Sequence, residues 1–195
     1  KDLVMDVDAA GFPVVAWTDL DLLHINCMRW NGTTWASAGE IGTGPYAEKP
    51  SIACDGSTIY AAWLQYPGGG DWYVSVQATR IPGGPMALSD TYPGLSGLTN
   101  ASPSSPKIAV VGTNVFVAWS TDEDDDYAAI RLKQWTGGTN WFGIDGSDVW
   151  PGIVKLTGRK RLGDLAVNNL GQPFVGGEIT VQGLQWTWQY GVVGA

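Results

Sequence analysis

No stretch of this chain approaches the roughly 18 uninterrupted apolar residues that a membrane helix requires, so no membrane insertion is expected. Cations are scarce, with 11 Lys and Arg against 19 Asp and Glu, a net charge of −8 and a pI near 4.4. A nucleic-acid surface needs clustered Lys and Arg. The one cluster, Arg159-Lys160-Arg161, reads as a solvated loop, and nucleic acid is excluded as a partner. With only two cysteines and the single His24, a zinc site lacks ligands. Cys27 and Cys54 each fall at an apolar place in a strand pattern. Each can be a small buried hydrophobe, and spacing alone leaves a bridge between them open. Helical periodicity is absent over any useful length. The chain opens at Lys1 without Met or a signal peptide, and is expected to be a processed or excised piece.

What is present is repetition. Pro13-Val-Val-Ala-Trp17 returns as Ile59-Tyr-Ala-Ala-Trp63 and Val115-Phe-Val-Ala-Trp119, then in degraded form as Pro173-Phe-Val-Gly-Gly177. The intervals of about 46, 56 and 58 residues lie in the band of propellers and solenoids. Each copy follows a short apolar run and a turn, and precedes a polar loop and a third run. One unit is used four times, over approximately residues 1–48, 49–105, 106–162 and 163–195, within a single domain.

Each unit reads as four strands. In the first these are Leu3–Val7, Pro13–Asp19, His24–Trp30 and Trp35–Ile41. Asn31-Gly32 closes a hairpin, since both residue types tolerate positive φ. In the fourth unit only three strands are recognisable: Leu165–Val167, Pro173–Ile179 and Leu184–Tyr190. The second strands decide the architecture. Pro13–Trp17, Ile59–Trp63 and Val115–Trp119 are apolar on both parities, so both faces must be covered. Stacked four-stranded blades meet that need, and the fold class expected is an all-β propeller of about four blades, with room for the last to be incomplete.

The run Ile52-Ala-Cys-Asp-Gly56, then Ala62-Trp63, with Arg29-Trp-Asn-Gly-Thr-Thr-Trp35, resembles blades of repetitive bacterial secreted and surface β-propellers. These are related to sialidase-like and lectin-like propellers. Asn31-Gly-Thr-Thr-Trp35 resembles the tail of the Asp-box turn of sialidases, without that motif's Ser and Asp. The resemblance implies an extracellular or surface location and a propeller fold; one such scaffold carries unrelated activities.

Strand alternation gathers the long connections on one face: 41–50, 64–71, 89–106, 120–126 and 146–162. Loops on one rim of a rigid scaffold are where binding concentrates. Tyr66, Asp71, Trp72, Tyr92 and Trp150 lie there, aromatic faces for a sugar ring beside groups for its hydroxyls. Asp122, Asp124 and Asp126, within Asp122-Glu-Asp-Asp-Asp126, are candidate Ca²⁺ ligands, although the spacing is not that of an EF-hand and a solvated acidic loop is the alternative. No cofactor other than Ca²⁺ is suggested. Carboxylates abound, but no arginine cluster or Gly-x-Ser-x-Gly elbow accompanies them. The expectation is therefore a non-catalytic, lectin-like module whose partner is a glycan. One alternative is an assembly subunit pairing with other chains through an edge at Trp186 and Trp188; a second is a glycoside-processing enzyme.

Overall fold

In the computed structural model, the described residues are 1–21, 24–42, 46–68, 72–80, 85–89, 95–96, 102–124, 127–138, 140–144, 159–181 and 184–191. They contain β-strands and turns and no helix. The chain divides into two compact units, Lys1–Leu98 and Thr99–Ala195.

The first unit holds two four-stranded antiparallel sheets. The first sheet consists of β1 (Val4–Val7), β2 (Pro13–Thr18), β3 (Ile25–Trp30) and β4 (Trp35–Gly42), in that spatial order. The second consists of β5 (Ala47–Asp55), β6 (Thr58–Gln65), β7 (Tyr73–Arg80) and β8 (Pro85–Ser89). In the second unit the third sheet is β9 (Ser102–Val111), β10 (Asn114–Asp124), β11 (Tyr127–Trp135) and β12 (Trp141–Gly143). Among the described residues the fourth has three strands, β13 (Arg159–Val167), β14 (Pro173–Val181) and β15 (Leu184–Gly191).

The second strands stand where the repeats place them. The first strands do not start where the sequence suggests: β5, β9 and β13 begin upstream, inside stretches that read as loops. The cause is a kink. Lys49 and Ser105 have φ of 53° and 50°, and the register shifts nearby, between Glu48 and Ser51 and between Ala118 and Ser120. A bulge breaks the period-two pattern, and Pro50, Pro103 and Pro106 read as breakers. Proline is tolerated here because β5 and β9 are edge strands.

The tight turns follow two designs. Gly56 and Gly112 take positive φ in short turns. Between β1 and β2, Asp8 Oδ1 instead accepts the N–H groups of Ala10 and Phe12, both at 2.9 Å. Asn168 does the same for Leu170 and Gln172 between β13 and β14. Asp8 is buried and paired with Arg29, whose guanidinium lies over the Phe12 ring. Burial alone would raise its pKa; the Phe12 N–H, Arg29 and the Ala10 N–H outweigh that and hold the carboxyl below its ordinary value. A depressed native pKa gives stability that is present above the unfolded value of about 3.9 and lost as pH falls through the native value. Asp8→Asn should therefore lower stability at pH 7 and flatten its fall below about pH 4, as read by urea unfolding at several pH values.

Packing between sheets is apolar. In the first unit Val14, Ala16, Ile25 and Cys27 of the first sheet meet Ile52, Ile59, Ala61 and Trp63 of the second. Trp63 is 3% exposed and its Nε1 donates to Gln65 Oε1 at 2.9 Å. Its indole lies so close to Gly42 that a Cβ there would stand 3.3 Å from Trp63 and 3.2 Å from Ala47 Cβ. Gly42→Ala should thus cost about 1–3 kcal/mol by overpacking, measured by urea unfolding. In the second unit Phe116, Ala118, Ile130 and Leu132 meet Leu162, Leu165 and Val175.

Both faces of β6 and of β10 over Val115–Ser120 are buried, as their patterns require. The expectation fails for β2. Its Val14, Ala16 and Thr18 are buried, but Pro13, Val15 and Trp17 on the other face are only partly covered. Cys27 and Cys54 are free thiols. Burial pushes the Cys27 thiol up to about 12, and burial followed by the Asp6 charge pushes Cys54 up as well, so neither is a nucleophile at neutral pH.

Candidate functional site

In the first unit, the two sheets end side by side on a common rim. The Cys54 N–H donates to Asp6 Oδ2 at 2.7 Å, aligning β5 with β1, and Gly42 at the end of β4 meets Trp63 near the end of β6. This rim is where β1, β3, β5 and β7 begin and β2 and β6 end.

At the first sheet's end of the rim stands Asp2. Its φ is 55°, and the strand register aligns it with Lys49 and Ser105, which share the left-handed conformation. Non-glycine residues held there carry strain that concentrates at functional positions, and bulges re-aim side chains beside active sites. Asp2 Oδ2 is buried with no hydrogen-bond partner in the protein. Beside it, Lys1 and Thr18 exchange backbone hydrogen bonds at 2.8 and 3.0 Å, and Thr18 Oγ1 is likewise buried and unpartnered. The equivalent pair in the second unit satisfies itself, Ser104 Oγ lying 2.8 Å from Ser120 Oγ. Buried polar atoms of native proteins are nearly always paired, and two adjacent exceptions mark this end of the sheet.

Asp19, Asp21 and His24 follow on the same rim. Asp19 is engaged locally, accepting the Asp21 N–H at 2.9 Å and Asn26 Nδ2 at 3.3 Å. On the second sheet Glu48 is half-buried beside the kinked Lys49. Three aromatics complete the rim. Tyr66 and Trp72 lie with ring centroids 5.3 Å apart, and Tyr46 packs edge-on against Tyr66 at 5.7 Å. The Tyr66 N–H donates to the Tyr46 carbonyl at 3.2 Å. Tyr46 is 45% exposed, so the cluster presents ring surface to solvent.

Of the residues singled out in the sequence, Tyr66 and Trp72 are therefore brought together. Asp71, Tyr92, Trp150 and Asp126 lie outside the described residues. Asp122 and Asp124 are in β10 with side chains outside the description, and among the described residues no group of three or more His, Cys, Asp and Glu could hold a metal. Trp186 and Trp188 lie in β15 opposite Ile179 and Gly177, their side chains also outside the description. Sequence reasoning missed Asp2, Thr18, Glu48 and Tyr46. The available signal was alignment of Asp2 with Lys49 and Ser105 across the repeats, a position where no ordinary strand residue is expected.

No protein-family description matches the sequence, and no curated protein does. Solved structures do. An α-L-arabinanase of Penicillium chrysogenum, complexed with arabinobiose, matches with a TM-score of 0.59 and 14% identity, over 97% of this chain and 61% of that one. An α-L-arabinofuranosidase of Fusarium graminearum matches at 0.56 with 12% identity, over 97% and 60%. A family 117 glycoside hydrolase of Zobellia galactanivorans matches at 0.54 with 12% identity, over 98% and 66%. The fold is an all-β propeller. The chain spans about 60% of the length of the first two. These matches correct two expectations. The neighbours are glycoside hydrolases and not sialidase-like or lectin-like repeats, and none of the three is the non-catalytic, lectin-like module expected from the sequence. The physical reason is that a propeller draws its carboxylates from the ends of separate strands, so no linear motif announces them.

Proposed function

We propose that this chain forms part of a glycoside-processing site on the rim that carries Asp2. The observation that carries the reading is Asp2 itself: a carboxyl in a strained backbone position with a buried oxygen unpaired, in a fold shared with an arabinanase and an arabinofuranosidase. Glycoside hydrolysis needs two carboxyl groups, one to donate a proton to the leaving oxygen and one to act as nucleophile or base. Asp2 supplies one. Glu48 is the counterpart on the adjoining sheet, because Asp19 is already committed to Asp21 and Asn26. Tyr46, Tyr66 and Trp72 supply apolar ring faces for sugar stacking, a binding role for the glycan partner. An extracellular location fits an enzyme acting on polymeric glycans.

The test is hydrolysis of aryl α-L-arabinofuranosides and linear arabinan by the chain. Turnover of at least one class, lost with Glu48→Gln and retained with Asp21→Asn, is the expected result. No release of reducing sugar from any of them would remove the enzyme reading.

A further inference from the structure

The aromatic trio on the rim is not something the fold requires. With Trp63 aligned on Trp119, Tyr46 and Tyr66 fall on Ser102 and Asp122 of the third sheet, which are themselves paired in register. The same backbone pairing is thus made between Ser and Asp in one sheet and between two tyrosines in another, where the Tyr66 N–H donates to the Tyr46 carbonyl. Tyr46 also has φ of 62°, a region that a bulky residue occupies only when its surroundings hold it there. Glycine takes this conformation without strain and presents the same carbonyl. What tyrosine adds at this position is its ring.

The three rings differ in what they offer. Tyr66 and Trp72 are tilted by 37°, so each turns one face towards the other, and both are only partly exposed. Tyr46 stands at 67° to Tyr66, unstacked, and is the exposed member of the three. Tyr66 and Trp72 buttress; Tyr46 is the surface. Its place along the chain sets what that surface can hold. Tyr46 and Glu48 flank Ala47, which is buried in the core between the first two sheets and anchors both. Two residues span at most about 7 Å between Cα atoms. A ring that close to a reacting carboxyl serves the sugar unit beside the bond that is cleaved.

We propose that Tyr46 is the platform for a second sugar unit, so that the site takes glycans of at least two contiguous units in preference to a single sugar. This rests on the glycoside reading of the rim, in which Glu48 marks the reacting end. The apolar face of the neighbouring sugar lies on the Tyr46 ring, whose orientation is fixed before the glycan arrives.

Isothermal titration calorimetry with arabinose and arabinobiose tests it, in the Glu48→Gln background so that the sugar stays uncleaved. Arabinobiose should bind about tenfold tighter than arabinose or better. Tyr46→Ala should remove that advantage and leave the affinity for arabinose unchanged, whereas Tyr46→Phe should keep it. Tyr46→Gly relieves the backbone strain, and should lose the advantage at an unchanged or higher melting temperature, which separates loss of the ring from loss of the fold. Equal affinity for the two sugars overturns the proposal, as does binding of neither, or an advantage that survives Tyr46→Ala or Tyr46→Gly. The glycoside reading is judged apart from this, by turnover with Glu48 intact. Turnover of arabinobiose at the parent's kcat/KM in Tyr46→Ala removes the platform alone. A Tyr46-dependent advantage without turnover upholds the platform and removes the hydrolase.

Discussion

Trp63→Ala is expected to lower stability by about 3–5 kcal/mol, the usual cost of removing a buried aromatic. Its indole is 3% exposed, fills the space between the first and second sheets, and satisfies its own N–H through Gln65. Truncation leaves a cavity beside Ala47 and Gly42, and a cavity that its surroundings fill only in part adds to the transfer cost. The Gln65 amide, itself buried, also loses a partner. Trp72→Ala, half-exposed at the rim, should cost about 1 kcal/mol or less. Urea unfolding of the two variants distinguishes these outcomes, and equal small losses would mean that the sheets are not wedged together by this tryptophan.

Asp2→Asn is the second large effect. The substitution preserves shape and removes the charge and the titrating proton. A general acid, base or nucleophile that can no longer exchange a proton or attack loses on the order of 10²–10⁴ in rate, so kcat should fall by that factor with KM little changed. Stability should not fall, because the carboxyl oxygen lost makes no hydrogen bond within the protein. The combination of collapsed turnover and unchanged or higher melting temperature is what a purely structural aspartate would not produce. Asp8→Asn is the contrast: Asp8 ties down a turn and an arginine, so it should lose stability first.

Much of the fold is legible in the sequence because three of the four repeats keep their tryptophan and all keep their turns. Apolar second strands and the Asn31-Gly32 hairpin translate directly into paired strands. Among the described residues the fourth sheet holds the three strands that the sequence shows. What was not legible depends on backbone geometry. A left-handed residue beside or within a strand has no signature of its own when it is Asp2, Lys49 or Ser105, and only their alignment across the repeats points to the strand starts and to Asp2. Tyr46 lies in a Gly-Pro-Tyr stretch that reads as loop, yet its carbonyl and ring join it to Tyr66. Tyr66 and Trp72 could be picked out because an aromatic flanking a polar loop has no core to join.

The most direct test of the rim as the glycan site is a two-dimensional amide and indole NMR spectrum of the chain titrated with arabino-oligosaccharide. The account predicts that the Trp72 indole N–H and the amides of Asp2, Thr18 and Tyr66 shift with a common dissociation constant. The Trp30, Trp35 and Trp135 indoles, at the opposite ends of their strands, should not move. Shifts confined to those three indoles, with Trp72 and Asp2 unmoved, would contradict it.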